Sequence, residues 1–436
     1  MRFDLENPPV KSAHDAACDG GFAIVKFGAR ADLVQAVTEI YSHMREGRKV
    51  AAFVADQPEA LAEEAKAAGL DALVLHAPSG GRLRSDLMRC DVVIIKSAAG
   101  SDPVGAVASQ GTREKLRVAV AGLGLIGEGA ALRLGADNPD YALCAALVRE
   151  PFRERPHIKV DQLTNDLSAL LAVKPDVVID ALPSGTAGNT LIRAALERGV
   201  SVVTANKQAI AGSMRRFTDL AAETGAAFRY SPSVGGGAPF VETLVRARKL
   251  GEIDSAEAVL NGTVNYILTA LSQGDSFEDA IRAAQEAGFA EPDPSADLSG
   301  ADAKAKLAIV AFAAFGEEID LDRIEVEGLD PVKAARFVKA GGSWKQLARI
   351  GRDASGALSA SVRFERRDGD PLFAGALGEA NALRIRLVDG RTVECRGKGA
   401  GRRPTVESIL GDLGSIRRDK QKAAARTAIT PDPILA

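Results

Sequence analysis

Several residue types that mark special classes of protein are scarce in this chain. Its 436 residues include only four cysteines, four histidines and one tryptophan. Cys18, Cys90, Cys144 and Cys395 have no Cys-x-x-Cys spacing, and the histidines are isolated. The sequence therefore predicts neither a zinc site nor a disulfide framework. Reduced cysteines, as in a cytoplasmic protein, are the expectation.

Long apolar runs and an excess of positive charge are also missing. No apolar segment approaches the roughly 20 residues that a membrane-spanning helix needs. The polar N-terminus, MRFDLENPPVKSAHD, is not typical of a signal peptide. With a net charge of −3 and no basic block, the chain is not expected to bind nucleic acid or a membrane surface. The sequence thus indicates a cytoplasmic protein whose partners are small molecules.

The chain does have the composition of an ordinary globular protein, with 46% hydrophobic and 26% charged residues, and length for two or three domains. Apolar strand-like runs alternate with helical stretches such as 32–45 and 59–68, which is typical of α/β folds. The strands predicted in the first part are 22–27, 50–55, 72–76 and 91–97. We therefore predict a small α/β domain over residues 1–113, ending in a linker at 98–112.

A second α/β unit opens with a strand at 116–121, the glycine turn GLGLIG at 122–127 and a helix predicted at 128–134. In that order, G-x-G-x-x-G is the fingerprint of a dinucleotide-binding fold. It predicts a Rossmann-type parallel sheet that binds NAD(P).

Each residue of this turn has an expected part in binding. Gly122 allows the tight turn, Gly124 lets the backbone approach the pyrophosphate, and Gly127 lets the helix pack on the strand. Backbone N–H groups at the helix start, around Leu125 and Ile126, bind the phosphate.

The choice between NAD and NADP depends on the end of the next strand, predicted at 142–148, which Arg149 and Glu150 follow. An acidic residue there is typical of NAD enzymes, because it bonds the ribose 2′-hydroxyl, whereas an arginine accommodates a 2′-phosphate. Since both are present, NADP is favoured and NAD stays open.

Two more strands, at 177–181 and 201–204, run into Ser184 and Lys207. Ligands of a parallel sheet bind beyond the carboxyl ends of its strands, so both side chains are predicted to face the cofactor crevice. From position alone, Lys207 is equally well a site lysine or a lysine that starts a helix.

The stretch 286–307, EAGFAEPDPSADLSGADAKAKL, is the most informative part of the chain. Two prolines keep its first half on a loop. The second half is a helix with Asp302 and Lys306 on one face, just before an apolar run. Asp302 and Lys306 could form an ordinary surface pair, but the clustering of carboxylates and lysines favours a functional site. The cluster comprises Glu291, Asp297, Asp302, Lys304 and Lys306.

Together, several blocks resemble homoserine dehydrogenase. They are VVTANK at 202–207, SVGGGAP at 233–239, LNGTVNYIL at 260–268, AGFAEPDPSADLSGADAKAKL at 287–307 and GKGAGRRPTVESILGDL at 397–413. The resemblance implies NAD(P)-dependent interconversion of L-aspartate 4-semialdehyde and L-homoserine, in the branch leading to threonine and methionine.

The resemblance also implies a domain plan and a homodimer or higher homo-oligomer. The Rossmann domain would span 114–230 and be completed by 396–418. An α+β domain for substrate binding, catalysis and dimerisation would span 231–395. Residues 419–436 would form a tail, and the charged stretch 417–427 is expected to be frayed.

By matching position, the resemblance makes Lys306 the proton donor and Asp302 the residue that orients the substrate and the catalytic water. Glu291 would hold the substrate ammonium, and Lys207 would contact both cofactor and substrate. The other implied site residues are Asp297, Gly262 and Thr263 on the substrate side, and Gly399 and Gly401 over the cofactor.

The family also carries a monovalent cation, usually Na⁺, held largely by backbone carbonyls. The matching positions are Ser231, Val234, Gly236 and Ala238. Hard cations take oxygen ligands, and a glycine-rich loop can turn carbonyls inward. Here Ser231 stands where the family commonly has Glu, which removes a carboxylate from this loop.

A second departure is Phe289, where the family usually has Tyr, so one hydroxyl contact with the substrate is missing. The two departures keep a second hypothesis open, a dehydrogenase on the same scaffold that acts on a related semialdehyde or amino acid. A third hypothesis is a non-catalytic nucleotide-binding regulatory protein.

The first part of the chain resembles the start of aspartate kinase, which opens V-x-K-F-G-G-[ST]. Lys26 and Gly28 match this pattern, but Ala29 and Arg30 replace its phosphate-binding residues. We interpret the unit as an appendage for oligomerisation, stability or ligand sensing. An unrelated α/β domain is the alternative.

Overall fold

The computed structural model describes residues 22–27, 49–54, 72–76 and 92–96, and then 115–427 except 136–137, 354 and 400. The chain divides into two compact units, Met1–Glu114 and Lys115–Ala436. Within the described ranges, no helix combines the length and the apolar character that crossing a membrane requires.

The described part of the first unit is a parallel sheet. Its strands pair in the order β1-β2-β4-β3. They are β1 (Phe22–Phe27), β2 (Lys49–Val54), β3 (Ala72–His76) and β4 (Val92–Lys96). These bounds lie within one residue of the predicted strands. The helices predicted at 32–45 and 59–68, the linker, and Gly28, Ala29 and Arg30 lie outside the described residues.

The second unit begins with a six-stranded parallel sheet in the order β10-β9-β8-β5-β6-β7. Its strands are β5 (Leu116–Ala121), β6 (Tyr141–Leu147), β7 (Leu163–Thr164), β8 (Val177–Asp180), β9 (Ser201–Thr204) and β10 (Phe228–Arg229). The central strands are continuous apolar runs because helices cover both faces of the sheet. Strand order reverses beside β5, so the crevice at its carboxyl end is the expected ligand position.

The helices of this domain alternate with the strands. They are α1 (Leu125–Arg133), α2 (Leu167–Ala172), α3 (Gly185–Leu196), α4 (Lys207–Ile210) and α5 (Met214–Thr224). α1 starts three residues earlier than predicted.

A second six-stranded sheet follows, in the order β12-β14-β13-β11-β15-β16, with parallel pairing only between β12 and β14. Its strands are β11 (Ile253–Val259), β12 (Glu325–Val326), β13 (Trp344–Arg352), β14 (Leu358–Arg366), β15 (Ala380–Leu387) and β16 (Thr392–Lys398). One face buries Ala256, Ala258 and Ile350 in the same core as helix residues 307–314. The other face carries charged side chains, including Glu257 and Arg349.

The helices of this second domain surround its apolar face and edges. They are α6 (Phe240–Leu250), α7 (Gly262–Gln273), α8 (Phe277–Glu286), α9 (Ser295–Leu298), α10 (Ala301–Phe315), α11 (Pro331–Ala340) and α12 (Pro371–Ala374). Two 3₁₀ turns lie at Ser231–Ser233 and Leu321–Arg323.

The last helix, α13 (Arg402–Thr427), returns to the nucleotide sheet. Its Ile409, Leu413 and Ile416 are buried in one cluster with side chains of β5. Arg417 pairs with Asp140, and Lys420 with Asp176. The expectation of a frayed segment at 417–427 was therefore wrong, because ion pairs fix Arg417 and Lys420 to the sheet and the helix continues to Thr427.

Candidate active site

The glycine turn after β5 has the geometry that dinucleotide binding requires. Gly122 has φ +88°, and a Cβ there would lie 2.6 Å from the Ala181 carbonyl oxygen. A Cβ on Gly127 would lie 1.7 Å from the Gly122 carbonyl oxygen, whereas a Cβ on Gly124 would meet nothing within 4 Å. Gly122 and Gly127 are thus needed for packing. Gly124 leaves open space at the turn.

The start of α1 is the candidate phosphate site. Gly124 is the N-cap and offers no side-chain acceptor, so the first N–H groups of the helix, beginning at Leu125 and Ile126, have no side-chain cap. Such N–H groups and the helix dipole together favour an anion. These residues fit the pyrophosphate of a dinucleotide.

The other predicted cofactor residues lie at separate strand ends. Ser184 caps α3, and its hydroxyl accepts a hydrogen bond from the Ala187 N–H at 3.2 Å. Arg149 and Glu150 are both exposed just after β6.

The C-terminal glycines pack against the loop that precedes α6. A Cβ on Gly236 would lie 2.3 Å from the Gly399 carbonyl oxygen, and the Gly237 N–H donates to the Lys398 carbonyl at 3.0 Å. Gly401, with φ +116°, then leads into α13. This helix passes so close to α1 that a Cβ on Gly129 would lie 2.8 Å from Val406.

Two lysines share one buried carboxylate at the start of α10. Lys306 Nζ lies 2.7 Å from Asp302 Oδ2, and Lys207 Nζ lies 3.1 Å from Asp302 Oδ1. The Asp302 side chain is 9% exposed, and Lys306 also donates to the Leu260 carbonyl at 3.1 Å. The interpretation as an ordinary surface pair was wrong, because spacing along a helix does not reveal that α4 brings a second lysine to the same buried carboxylate.

The charged groups of this cluster lie close enough to shift pKa values within it. Burial alone would raise the pKa of Asp302, but the ammonium groups of Lys306 and Lys207 hold it below its ordinary value. In return, the Asp302 carboxylate raises the pKa of Lys207. Asp302 and Lys207 are therefore both ionised near neutral pH.

Asp297 lies beside this cluster. Burial and the neighbouring charge of Asp302 raise its pKa, and the Asn261 side-chain N–H donates to it at 3.0 Å. Asn261 also caps α7, because its Oδ1 accepts from the Val264 N–H at 2.9 Å. Sequence reasoning missed Asn261, although an Asn just before a helix is an N-cap signal.

The remaining predicted substrate residues surround the same junction. Gly262 is the first residue of α7, and the Thr263 hydroxyl donates to the Phe289 carbonyl at 2.6 Å. Glu291 is exposed on the following loop, and its charge contributes to raising the pKa of Lys207. The Phe289 ring packs on Tyr266, with 5.3 Å between ring centroids.

The predicted cation loop, 231–238, has a carboxylate that sequence reasoning missed. Asp412, on α13, accepts hydrogen bonds from the Ser231 N–H at 3.1 Å and from its hydroxyl at 3.0 Å. Among the residues described, no group of three or more His, Cys, Asp or Glu side chains could hold a metal. A cation here would depend on backbone carbonyls, with Asp412 supplying negative charge.

Chemically, the cluster can bind an oxygen that gains negative charge. The ammonium groups of Lys207 and Lys306 outnumber the single buried carboxylate between them. Such a site stabilises an oxyanion and can deliver a proton to it.

Comparisons with known proteins point in the same direction. The family model for homoserine dehydrogenase matches residues 239–413, and the model for the NAD-binding domain of homoserine dehydrogenase matches residues 122–231.

Individual relatives give the same result. A homoserine dehydrogenase of Pseudomonas aeruginosa is 29% identical over 337 residues, which cover 73% of this chain and 77% of that protein. An NAD(+)-dependent homoserine dehydrogenase of Pseudomonas canavaninivorans is 33% identical over 248 residues, covering 56% and 70% respectively. The crystal structure of a homoserine dehydrogenase from Thiobacillus denitrificans matches with a TM-score of 0.64 and 26% identity, covering 73% of this chain and 76% of that one.

Proposed function

The chain belongs to the homoserine dehydrogenase family, and we propose that the cluster of Lys207, Asp302 and Lys306 is its catalytic centre. It is an NAD(P)-dependent oxidoreductase that interconverts L-aspartate 4-semialdehyde and L-homoserine. The observation that carries the proposal is the buried Asp302 carboxylate, held between two ammonium groups at 2.7 and 3.1 Å.

Lys306 is the proton donor. An ammonium group has three N–H donors, and Lys306 directs one to Asp302 and one to the Leu260 carbonyl. The third remains for the aldehyde oxygen of the substrate. As negative charge builds on that oxygen, the proton passes from Nζ to it and the hydroxyl of homoserine forms.

Lys207 and Asp302 prepare Lys306 for this step. The Asp302 carboxylate accepts a hydrogen bond from Lys306, which fixes the rotamer of that lysine, and it raises the pKa of Lys207. Lys207 adds a second positive charge near the oxygen, in a partly buried site where charges are weakly screened.

The substrate is an amino acid, so its ammonium needs a carboxylate. Glu291 is an exposed carboxylate on the loop beside the cluster, and its charge contributes to raising the pKa of Lys207. Asp297, fixed by Asn261, is the second candidate. Gly262 and Thr263 follow Asn261 at the start of α7, and the Thr263 hydroxyl donates to the carbonyl of Phe289, two residues before Glu291.

When bound, the nicotinamide cofactor supplies the hydride. The glycine turn at 122–127, Ser184, Gly399 and Gly401 would hold it. Arg149 is exposed at the position that meets a 2′-phosphate, and we assign a preference for NADPH to it. Arg149→Ala should lower kcat/KM for NADPH about tenfold or more and leave that for NADH unchanged.

A monovalent cation is proposed at the 231–238 loop. The Ser231 carbonyl accepts a hydrogen bond from the Val234 N–H, and the Ala238 carbonyl accepts one from the Phe240 N–H. Among the described residues, the carbonyls of Val234 and Gly236 accept no such backbone hydrogen bond, so their oxygens fit a cation best. Asp412 provides the negative charge that Ser231 does not.

We also propose a homodimer through the charged face of the second sheet. Arg349 lies 2.9 Å from Glu257 and 2.8 Å from Glu365, so both signs of charge alternate across this face. A surface of mixed charge is complementary to a copy of itself across a two-fold axis. The mass of the chain in solution, by light scattering, tests this, and a monomer would exclude it.

The catalytic proposal is tested by following NADPH oxidation with L-aspartate 4-semialdehyde. Lys306→Ala should lower kcat by about 100-fold or more, which is the usual contribution of a general acid. The NADPH Kd, measured by fluorescence, should stay unchanged because Lys306 is assigned to the substrate.

Lys304→Ala is the matched control. Lys304 lies on the same helix, two residues from Asp302 and from Lys306, and therefore on a different face. It should keep near wild-type kcat. Equal losses in both variants, or no loss in Lys306→Ala, would exclude Lys306 as the proton donor.

A further inference from the structure

A second buried carboxylate lies under the nucleotide crevice, outside the lysine cluster. Asp180 ends β8, and its side chain is completely buried. Its Oδ1 accepts from the Leu182 N–H at 3.1 Å, and its Oδ2 accepts from the Thr204 hydroxyl at 3.0 Å. Burial raises the pKa of Asp180 to about 6, although hydrogen bonds from Leu182, Thr204 and Asn206 oppose this rise. Burying a carboxylate in this way lowers the stability of the fold, which indicates that Asp180 has a role beyond stability.

The hydrogen bonds continue from Thr204 toward Lys207. The Thr204 Oγ1 accepts from the Asn206 N–H at 3.0 Å. Asn206 then caps α4, because its Oδ1 accepts from the Ala209 N–H at 3.2 Å. Lys207 is the first residue of that four-residue helix. The rotation of α4, and with it the direction of the Lys207 side chain, is therefore set by Asn206.

The same network fixes the neighbouring cofactor loop. The Asn206 side-chain N–H donates to the Ser184 carbonyl at 3.0 Å. Residue 181, next to Asp180, closely meets Gly122 of the cofactor turn, where a Cβ would lie 2.6 Å from the Ala181 oxygen. Helix α3 can pack against Asn206 only because residue 188 is glycine, since a Cβ at that position would lie 2.4 Å from Asn206 Nδ2.

We propose that Asp180 is a positioning residue for the reaction, which sets Lys207 against Asp302 through Thr204 and Asn206. The proposal depends on the role assigned above to Lys207. The proposal explains why a carboxylate is buried here, because Asp180 connects the cofactor turn, the Ser184 loop and a lysine of the catalytic cluster.

A carboxylate suits this place because it only accepts hydrogen bonds. The Thr204 hydroxyl must donate to residue 180, which leaves its oxygen free to accept from the Asn206 N–H. Asparagine at 180 would offer one acceptor and one donor. With its oxygen on the Leu182 N–H, its amide would donate to Thr204, and the hydroxyl proton would lose its acceptor.

The experiment compares Asp180→Asn, Thr204→Val and Thr204→Ser in the full chain. The first two should lower kcat about 10- to 100-fold, as expected for a displaced catalytic group. Thr204→Ser, which keeps the hydroxyl, should keep kcat near the wild-type value. A purely structural role would instead lower the unfolding temperature with kcat unchanged, and that result would overturn the proposal.

Asn189→Ala is the matched control. Asn189 joins α3 to α4, because its side-chain N–H donates to the Ala209 carbonyl at 3.0 Å, but it makes no hydrogen bond to Asp180, Thr204 or Asn206. It should leave kcat near the wild-type value. If Asp180→Asn does not fold, the two Thr204 variants decide the question alone, because they differ by the hydroxyl.

A double-mutant cycle separates this proposal from the role of Lys207. In a Lys207→Ala background, Asp180→Asn should cause no further loss of kcat, because it acts through Lys207. An equal loss in both backgrounds would overturn the positioning role. Lys207→Ala with unchanged kcat would instead refute the catalytic role of Lys207, and the positioning role with it.

Discussion

The Asp412 carboxylate on α13 accepts both hydrogen bonds that Ser231 can donate, at 3.1 and 3.0 Å. Asp412 is buried, and this burial raises its pKa to about 7 from 3.8. The nearby charge of Glu242 contributes to this rise. The contact thus joins the last helix to the proposed cation loop through a carboxylate that titrates near neutral pH.

Asp412→Asn should alter how stability depends on pH. Because the folded pKa lies above the unfolded one, the contribution of Asp412 is fully present below about pH 4 and lost as the pH rises through about 7. When the pH is raised from 5 to 8, the free energy of unfolding of Asp412→Asn should therefore increase by about 3 kcal/mol relative to that of the wild type.

Urea unfolding at both pH values, in choline chloride without Na⁺ or K⁺, measures this difference. NaCl should reduce it, because a bound cation favours the ionised carboxylate. A variant that loses stability relative to wild type between pH 5 and 8 would contradict the assignment.

Lys345→Met should show the opposite pH dependence. Lys345 is 2% exposed and donates to Asn265 Oδ1 at 3.0 Å and to the Ala376 carbonyl at 2.6 Å. Burial lowers its pKa to about 8 from 10.5. A depressed lysine pKa means that its contribution is present above about pH 10.5 and lost as the pH falls through about 8.

Between pH 7 and 10.5 the wild type should thus gain about 3 kcal/mol over the methionine variant. Chemical unfolding at the two pH values gives the difference directly. A constant difference would mean that Lys345 keeps an ordinary pKa.

The lysines and the carboxylate of the cluster could be selected from the sequence because their signals are local. Lys207 follows a strand of a parallel sheet, and such strand ends meet at one edge. Asp302 and Lys306 are four residues apart on a helix. Neither pattern shows that Lys207 contacts Asp302, because 95 residues separate the two in the sequence. Only the packing of α4 on α10 brings them together.

The residues that sequence reasoning missed make long-range contacts with no local pattern. Asp412 replaces the expected loop carboxylate from a position 181 residues away. Asp180 is the last residue of an apolar strand and accepts a hydrogen bond from Thr204 on the neighbouring strand. By contrast, the strands predicted at 116–121, 142–148, 177–181 and 201–204 differ from the observed ones by at most one residue at either end, because continuous apolar runs mark strands buried on both faces.

Asn261→Ala should lower kcat/KM for the semialdehyde about 10- to 100-fold, because Asp297 loses the donor that fixes it. It should also cost about 1 kcal/mol of stability through the lost N-cap of α7. Ser276→Ala removes the N-cap of α8, where Ser276 accepts from the Asp279 N–H at 3.1 Å, and should cost stability alone. Steady-state kinetics with thermal unfolding separates the two effects. Equal losses of kcat/KM in Asn261→Ala and Ser276→Ala would show that Asn261 contributes only to stability.

Gly124→Ala should separate cofactor binding from folding. A methyl group there meets nothing within 4 Å, and the backbone, at φ −80°, suits alanine. The variant should therefore fold with wild-type stability yet bind NADPH at least about 100-fold more weakly, since the methyl group occupies the space where the pyrophosphate approaches.

Gly122→Ala, with its Cβ 2.6 Å from the Ala181 oxygen and φ +88°, should instead lose about 1–3 kcal/mol of folding stability. Gly411→Ala, in open space within α13, is the control that should bind normally. Fluorescence titration with NADPH and thermal unfolding distinguish the three variants. Normal NADPH binding by Gly124→Ala would mean that the phosphates do not approach this turn.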